Sequence, residues 1–266
     1  MGNIKHYWKD KDKRAITAKI HTKLVETTYK NEIENSIKNT KIYGNSFRLS
    51  ADSTYLSYQT EIIVENLDSV SAVLKYTDDT SKTAVLNFSS YKNPGGGFLA
   101  GSRAQEECLC HESFLYNVLK EFQNSFYDKN CLDKNKGLYT NKGMYSPDIY
   151  FIRDNKTVKC DVITCAAPNK TTAQKYQNVS EDENYGALSS RVKFVLDIAA
   201  LNNVDTLILG AYGCGVFGQD PYEVADLFKV FLRKYHTCFK KVIFAIPEGK
   251  DGNLKAFQEI FAKLKG

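Results

Sequence analysis

At 266 residues the chain has room for one large domain or two small ones, and its 42% apolar and 25% charged residues exclude disorder as the dominant state. Sixteen Gly and five Pro exclude collagen-like and low-complexity classes, and the absence of a long apolar run argues against a transmembrane helix. The formal net charge of +5 is concentrated at one end: residues 1–41 carry ten basic and five acidic side chains, and the rest of the chain balances. Such an end can steer a polyanion, although a solvated Lys-rich helical face has the same composition.

The opening MGNIKHYWKDKDKR lacks an apolar signal region, and His6 stands where a myristoylation signal needs Ser or Thr, so a cytoplasmic location is expected. Residues 13–42 have helical spacing. Ile16, Ile20 and Leu24 recur at i+4, and Tyr29, Ile33 and Ile37 resume the stripe after one slip, with Gly44 as the expected stop. The stretch 45–60 has no clear period. Beyond it, β-branched runs predict strands over 60–65, 83–88, 148–153, 160–166, 204–210 and 241–246. Helical patterns fall over 66–75, 103–127, 182–202, 221–235 and 252–264. Strands and helices in alternation, with near-continuous apolar strands, predict an α/β domain whose mostly parallel sheet is covered on both faces. The simplest partition is a helical N-terminal extension over 1–59 and one α/β domain over 60–266.

The seven cysteines, odd in number and irregularly spaced, predict reduced thiols rather than a disulfide framework. Cys108-Leu-Cys110-His111 resembles a metal knuckle, but nothing follows at ligand spacing, so no metal is expected. Two glycine-rich loops follow strands, where α/β sheets bind ligands. Gly213-Cys214-Gly215-Val216-Phe217-Gly218 spells a dinucleotide fingerprint, but Asp220-Pro221 marks an N-cap and first helical position after the glycines. This predicts an open loop whose backbone N–H groups bind a diphosphate, and an NAD-dependent oxidoreductase is the weaker alternative. The loop Asn93-Pro94-Gly95-Gly96-Gly97 follows the strand over 83–88, and three consecutive glycines let a ligand approach the backbone closely. Seven residues later, Gln105-Glu106-Glu107 falls in the first turn of the next helix, where Ser102 and Gln105 fit a capping box.

The string NFSSYKNPGGGFLAGSRAQEECLCHESFLY resembles the microbial-type poly(ADP-ribose) glycohydrolases, whose signature is GGG, a spacer of six to eight residues, and QEE. GAYGCGVFGQDP looks like the diphosphate loop of the same macrodomain-fold family. The resemblance implies a three-layer α/β/α macrodomain with a mixed, mostly parallel sheet and ADP-ribose in its cleft. It implies that Glu107 is the catalytic glutamate and that Glu106 holds a ribose hydroxyl beside the scissile bond. Gly95, Gly96 and Gly97 would approach the distal ribose and diphosphate, with Asn93 and Gln105 as further substrate-binding candidates. Gly213, Cys214, Gly215, Val216 and Phe217 would wrap the diphosphate, with Phe217 near the distal ribose. The implied substrates are poly(ADP-ribose) or ADP-ribosylated macromolecules, the product is ADP-ribose, and no cofactor, membrane or obligate protein partner is expected.

Neighbouring glutamates on one helix cannot bracket a sugar as the two carboxylates of ordinary glycosidases do. The expected scheme is therefore one-sided: Glu107 protonates the leaving ribose oxygen and then deprotonates the attacking water, while the charge of Glu106 helps keep Glu107 protonated. A binding module of the same fold would use the same loops without turnover, and a mono-ADP-ribosyl hydrolase would act on modified protein or nucleic acid.

Overall fold

The structure is a computed structural model that describes residues 10–49 and 58–262. His6, the segments 1–9 and 50–57 of the expected extension, and the last two positions of the helix expected over 252–264 lie outside the described residues. Asp10 caps the first helix, α1 (Lys11–Thr28), by accepting the N–H groups of Asp12 and Lys13 at 2.9 and 3.1 Å. Tyr29 joins it to α2 (Lys30–Asn39). The helical pattern expected as far as 42 stops there, because Lys41–Tyr43 form a short edge strand, β1.

The remaining strands are β2 (Glu61–Glu65), β3 (Thr83–Phe88), β4 (Gly143–Arg153), β5 (Lys156–Cys165), β6 (Thr206–Leu209) and β7 (Lys241–Ala245). Their order in one sheet is β1-β4-β5-β3-β6-β7-β2, with β5, β3, β6, β7 and β2 mutually parallel, β4 antiparallel to β5, and β1 paired antiparallel with β4 at the edge. All parallel strands therefore end on one side of the molecule, where such sheets bind ligands.

The central parallel strands β3, β6 and β7 are buried on both faces, as their near-continuous apolar sequences require, whereas the edge strand β2 is only partly buried. In β3, Ala84 and Leu86 pack into one core and Val85 into the other; in β6, Leu207 and Leu209 oppose Ile208. One layer is built from α8 (Glu181–Leu201), α9 (Pro221–Lys234) and α10 (Asn253–Ala262). The opposite layer holds α1, α2, α3 (Ser69–Tyr76), α4 (Gln105–His111) and α5 (Leu115–Leu119). The result is a three-layer α/β/α fold. Among the described residues no helix is long and apolar enough to cross a membrane.

The helix expected over 103–127 is broken. After α4 the backbone turns out to meet the sheet: Ser113 bridges Phe151, and Ile152 N–H donates to Glu112 O at 2.7 Å. Only then come α5, a π-helical turn (Gln123–Tyr127) and α6 (Asp128–Leu132). The short helix α7 (Lys170–Gln177), capped by Asn169, had no counterpart among the expected elements.

An apolar stripe at helical spacing ordinarily faces a core. Along α1 it does the reverse. Ala18 and Val25 are buried, whereas Ile16, Ile20 and Leu24 are 59%, 62% and 62% exposed. What fixes the helix to the body is a set of long-range polar contacts on the other face. Arg14 Nε donates to Gly101 O at 2.8 Å, and His21 Nε2 lies 2.7 Å from Ser113 O.

Candidate active site

Helix α4 begins at Gln105 with Ala104 at its N-cap, two residues later than the expected cap at Ser102. Gln105 accordingly makes no capping bond. Its Oε1 accepts Phe88 N–H at 2.8 Å, and its Nε2 donates to Leu86 O at 2.8 Å and Ser69 Oγ at 3.1 Å. Gln105 thus ties the start of α4 to the carboxyl end of β3, which sets both following glutamates at the mouth of the sheet.

Glu107 turns back over its own helix start. Its Oε2 accepts Ala104 N–H at 2.8 Å, and its Oε1 accepts Gly97 N–H, also at 2.8 Å. Each carboxylate oxygen is held by one backbone donor, and the side chain is buried. Glu106 points to the opposite side of the bend. Asn87 Nδ2 donates to its Oε1 at 3.1 Å, and Ser90 N–H donates to its Oε2 at 2.7 Å. Burial pushes the Glu106 carboxyl up to about 8; the Ser90 and Asn87 donors pull against that shift, and the charge of Glu107 adds to it. Burial thus favours the protonated form of Glu106.

The triple-glycine bend closes on these two carboxyls. Gly95 and Gly96 have φ of +67° and +60°, the left-handed region. A Cβ on Gly96 would stand 2.6 Å from Glu107 Oε1 and 2.9 Å from Glu106 Oε2, so those two oxygens lie within about 5.5 Å of each other. The missing side chain at 96 thus leaves room first for the glutamates. A Cβ on Gly97 would collide with Ser102 Oγ at 2.2 Å. Asn93 is exposed and contributes its carbonyl, which accepts Gly96 N–H at 3.1 Å.

The second glycine loop behaves as its sequence indicates. Asp220 Oδ1 accepts the N–H groups of Tyr222 and Glu223, Pro221 opens α9, and the glycines precede the helix. Among the described residues, the N–H groups of Gly215, Val216 and Phe217 donate to no acceptor, while those of Cys214 and Gly218 bond within the loop. Successive free N–H groups in a glycine bend form a nest for an anion. Cys214 is mostly buried under the loop, and burial pushes its thiol up, away from thiolate chemistry.

Between these parts lies a cavity of about 570 Å³. Gly213, Gly215, Val216 and Phe217 line one side and Arg103, Ala104 and Gln105 another, with Phe88 and Ile246 at the strand ends. Its size suits a nucleotide-sized ligand. The structure therefore brings the second loop and the α4 start to one cleft, with the triple-glycine bend and both glutamates directly behind that helix start.

Three supporting residues escaped the sequence reading. Tyr139, itself at φ +60°, stacks on Tyr91 with centroids 4.1 Å apart and meets the Phe217 ring edge-on at 6.2 Å. The loop carrying Tyr139 is held by Arg191, only 1% exposed, whose guanidinium donates to Asn141 Oδ1 at 2.8 Å and to the carbonyls of Ala166 and Leu138. No local motif announces such a residue; a lone arginine inside an apolar helical stretch, as in 188–200, is the one available signal.

Residues 14–154, more than half of the chain, match the family model for the microbial-type PARG catalytic domain. A search of curated proteins gives no match. Among solved structures, the poly(ADP-ribose) glycohydrolase of Deinococcus radiodurans in complex with ADP-ribose is 30% identical, with a TM-score of 0.77, covering 87% of this chain and 98% of that one. The corresponding enzyme of Thermomonospora curvata is 27% identical, with a TM-score of 0.82, covering 93% and 99%. The Thermomonospora curvata enzyme bound to the inhibitor ADP-HPD is similar at 26% identity and a TM-score of 0.79, with the same coverage.

Proposed function

The chain belongs to the microbial-type poly(ADP-ribose) glycohydrolases and is a glycosidase of ADP-ribose chains, and we propose that Glu107 is its general acid and base. The observation that carries this reading is the grip on Glu107: two backbone N–H groups, Gly97 on one oxygen and Ala104 on the other, fix a buried carboxyl at the glycine bend. A proton donor held so rigidly meets the positional demand of general acid catalysis.

In this reading ADP-ribose occupies the cleft, as it does in the Deinococcus radiodurans relative. Its diphosphate lies on the free N–H groups of the second loop, and its distal ribose rests between Phe217 and the triple-glycine bend. A ribose hydroxyl donates to Glu106. That hydrogen bond favours the charged form of Glu106. Glu107 then protonates the leaving ribose oxygen, the ribosyl cation forms, and Glu107 takes a proton from the attacking water. The neighbouring diphosphate oxygens offset the charge of the cation. Arg191, Tyr139 and Tyr91 position Phe217.

Poly(ADP-ribose) is the substrate in this reading, with free ADP-ribose as product. A reducing, cytoplasmic setting is supported by seven cysteines, none of them in a disulfide among the described residues. Incubation with poly(ADP-ribose) and chromatography for ADP-ribose tests the assignment. Glu107→Gln keeps ADP-ribose affinity and loses at least about 10²-fold in turnover; full activity in that variant refutes the role of Glu107.

A further inference from the structure

The outward face of α1 is an unusual surface. Ile16, Ile20 and Leu24 are each about three-fifths exposed, and Lys13, Lys19 and Lys23 are exposed around them. At 100° per residue all six lie on one side of the helix, opposite the docked Arg14, His21 and Val25. Among the described residues none of these three lysines has a carboxylate within ion-pair distance. Of the acidic residues on α1, Glu26 is engaged by Lys120 at 2.9 Å, which leaves Asp12 as the one carboxylate beside the stripe. The face belongs to the segment that carries the entire net positive charge of the chain.

Its location gives the surface a direction. α1 packs on the 3-10 turn Phe98–Ala100, which leaves the glycine bend immediately after Gly97, the donor to Glu107. Contact is close: a Cβ on Gly101 would lie 2.1 Å from Lys11 O. The helix is thus braced against the chain segment that holds the general acid. Leu99, on that same turn, is also exposed.

We propose that this basic, apolar face of α1 is an exosite for the part of a poly(ADP-ribose) chain that remains attached beyond the scissile bond. The inference rests on the functional reading above and extends it. Each unit of the polymer carries a diphosphate and an adenine. The lysines match the diphosphates by charge, and the exposed isoleucine and leucine side chains offer the adenine faces an apolar surface. Neither a bare charge run nor a bare apolar stripe would serve both. Binding here raises the local concentration of chain ends at the cleft without a new contact to the terminal unit.

The test compares long poly(ADP-ribose) with the ADP-ribose dimer, which has a single unit beyond the scissile bond. Two double variants of exposed residues, Lys19→Glu/Lys23→Glu and Ile16→Ser/Ile20→Ser, are measured beside the unaltered chain. The expected result is a loss of about tenfold in kcat/KM on long chains, with dimer hydrolysis and the ADP-ribose Kd unchanged. For the lysine variant, the dependence of log(kcat/KM) on log salt becomes shallower by about 1, in line with lost phosphate contacts. Equal loss on dimer and polymer, or no loss on polymer, overturns the exosite. Unchanged polymer turnover, with loss of anionic-vesicle binding or of self-association, assigns the face to a membrane or a second copy and likewise overturns it. Failure of the unaltered chain to cleave either substrate would instead refute the glycohydrolase reading itself.

Discussion

Replacing Gly96 with alanine asks whether the triple-glycine bend exists to seat the glutamates. The added Cβ stands 2.6 Å from Glu107 Oε1 and 2.9 Å from Glu106 Oε2. The nearer contact is roughly 1 Å short of ordinary carbon–oxygen separation. Both oxygens accept backbone N–H groups, from Gly97 and Ser90, so neither can retreat without losing a bond. A hydrogen bond to a carboxylate contributes about 1.5–3 kcal/mol. Holding alanine at φ +60° costs about 1–2 kcal/mol more. Alanine regains about 0.4–1 kcal/mol by restricting the unfolded chain. The net expectation is a destabilisation of about 2–4 kcal/mol, or about 5–15 °C in Tm for a domain of this size. With Glu107 as the proposed general acid, a displacement of about 1 Å there lowers turnover about 10²-fold. Thermal melting and chromatographic assay of ADP-ribose release measure the two effects. Gly215→Ala is the control: its Cβ meets nothing within 4 Å, yet the residue lines the cleft. It keeps the Tm of the parent and weakens ADP-ribose binding by calorimetry. Parental Tm and turnover in Gly96→Ala would refute the argument that this bend is shaped around the two carboxyls.

The remaining expectations address the same site from other directions. The Glu106 carboxyl ordinarily ionises near 4.5 and is pushed up to about 8 here, so across that window the unfolded chain is ionised while the folded one holds its proton. Stability from this group is full below about pH 4.5 and declines as pH rises, by about 3 kcal/mol between pH 5 and pH 8. Urea melts of Glu106→Gln show a flatter pH dependence over that range; an unchanged slope would remove Glu106 as its source. Gln105→Leu deletes two hydrogen bonds from α4 to β3 and one to Ser69 of α3 and leaves Leu86 O and Phe88 N–H unpaired, costing about 2–4 kcal/mol by denaturant unfolding. Turnover falls in step with the drift of the helix start, and a fully stable, fully active variant would show that Gln105 positions nothing. Arg191→Met frees the loop 138–141. It raises the KM for poly(ADP-ribose) through the Tyr139–Phe217 contact while leaving the Glu107 grip intact.

Much of this site is legible in one dimension because its parts are local. Asp220 before Pro221 sets where α9 starts, and three glycines set a bend no other residues would hold, since caps and left-handed turns depend on near neighbours in the chain. The alternation of apolar β strands with helices likewise specifies a sheet covered on both faces. The break after His111 is different: the segment 103–127 has helical spacing throughout, and the pairing of Glu112 and Ser113 with Ile152 and Phe151 of β4 draws the backbone away. The face that α1 turns inward was settled by Arg14 and His21 reaching carbonyls 87 and 92 residues away, against the direction that Ile16, Ile20 and Leu24 suggest. The upward shift of the Glu106 carboxyl belongs to the same class. Desolvation is a property of everything packed around a group, and no count of neighbours along the chain contains it. Sequence alone determined which groups stand near one another on the two glycine bends and the QEE turn; tertiary structure decided which of them lose water, because burial is produced by contacts between residues far apart in the chain.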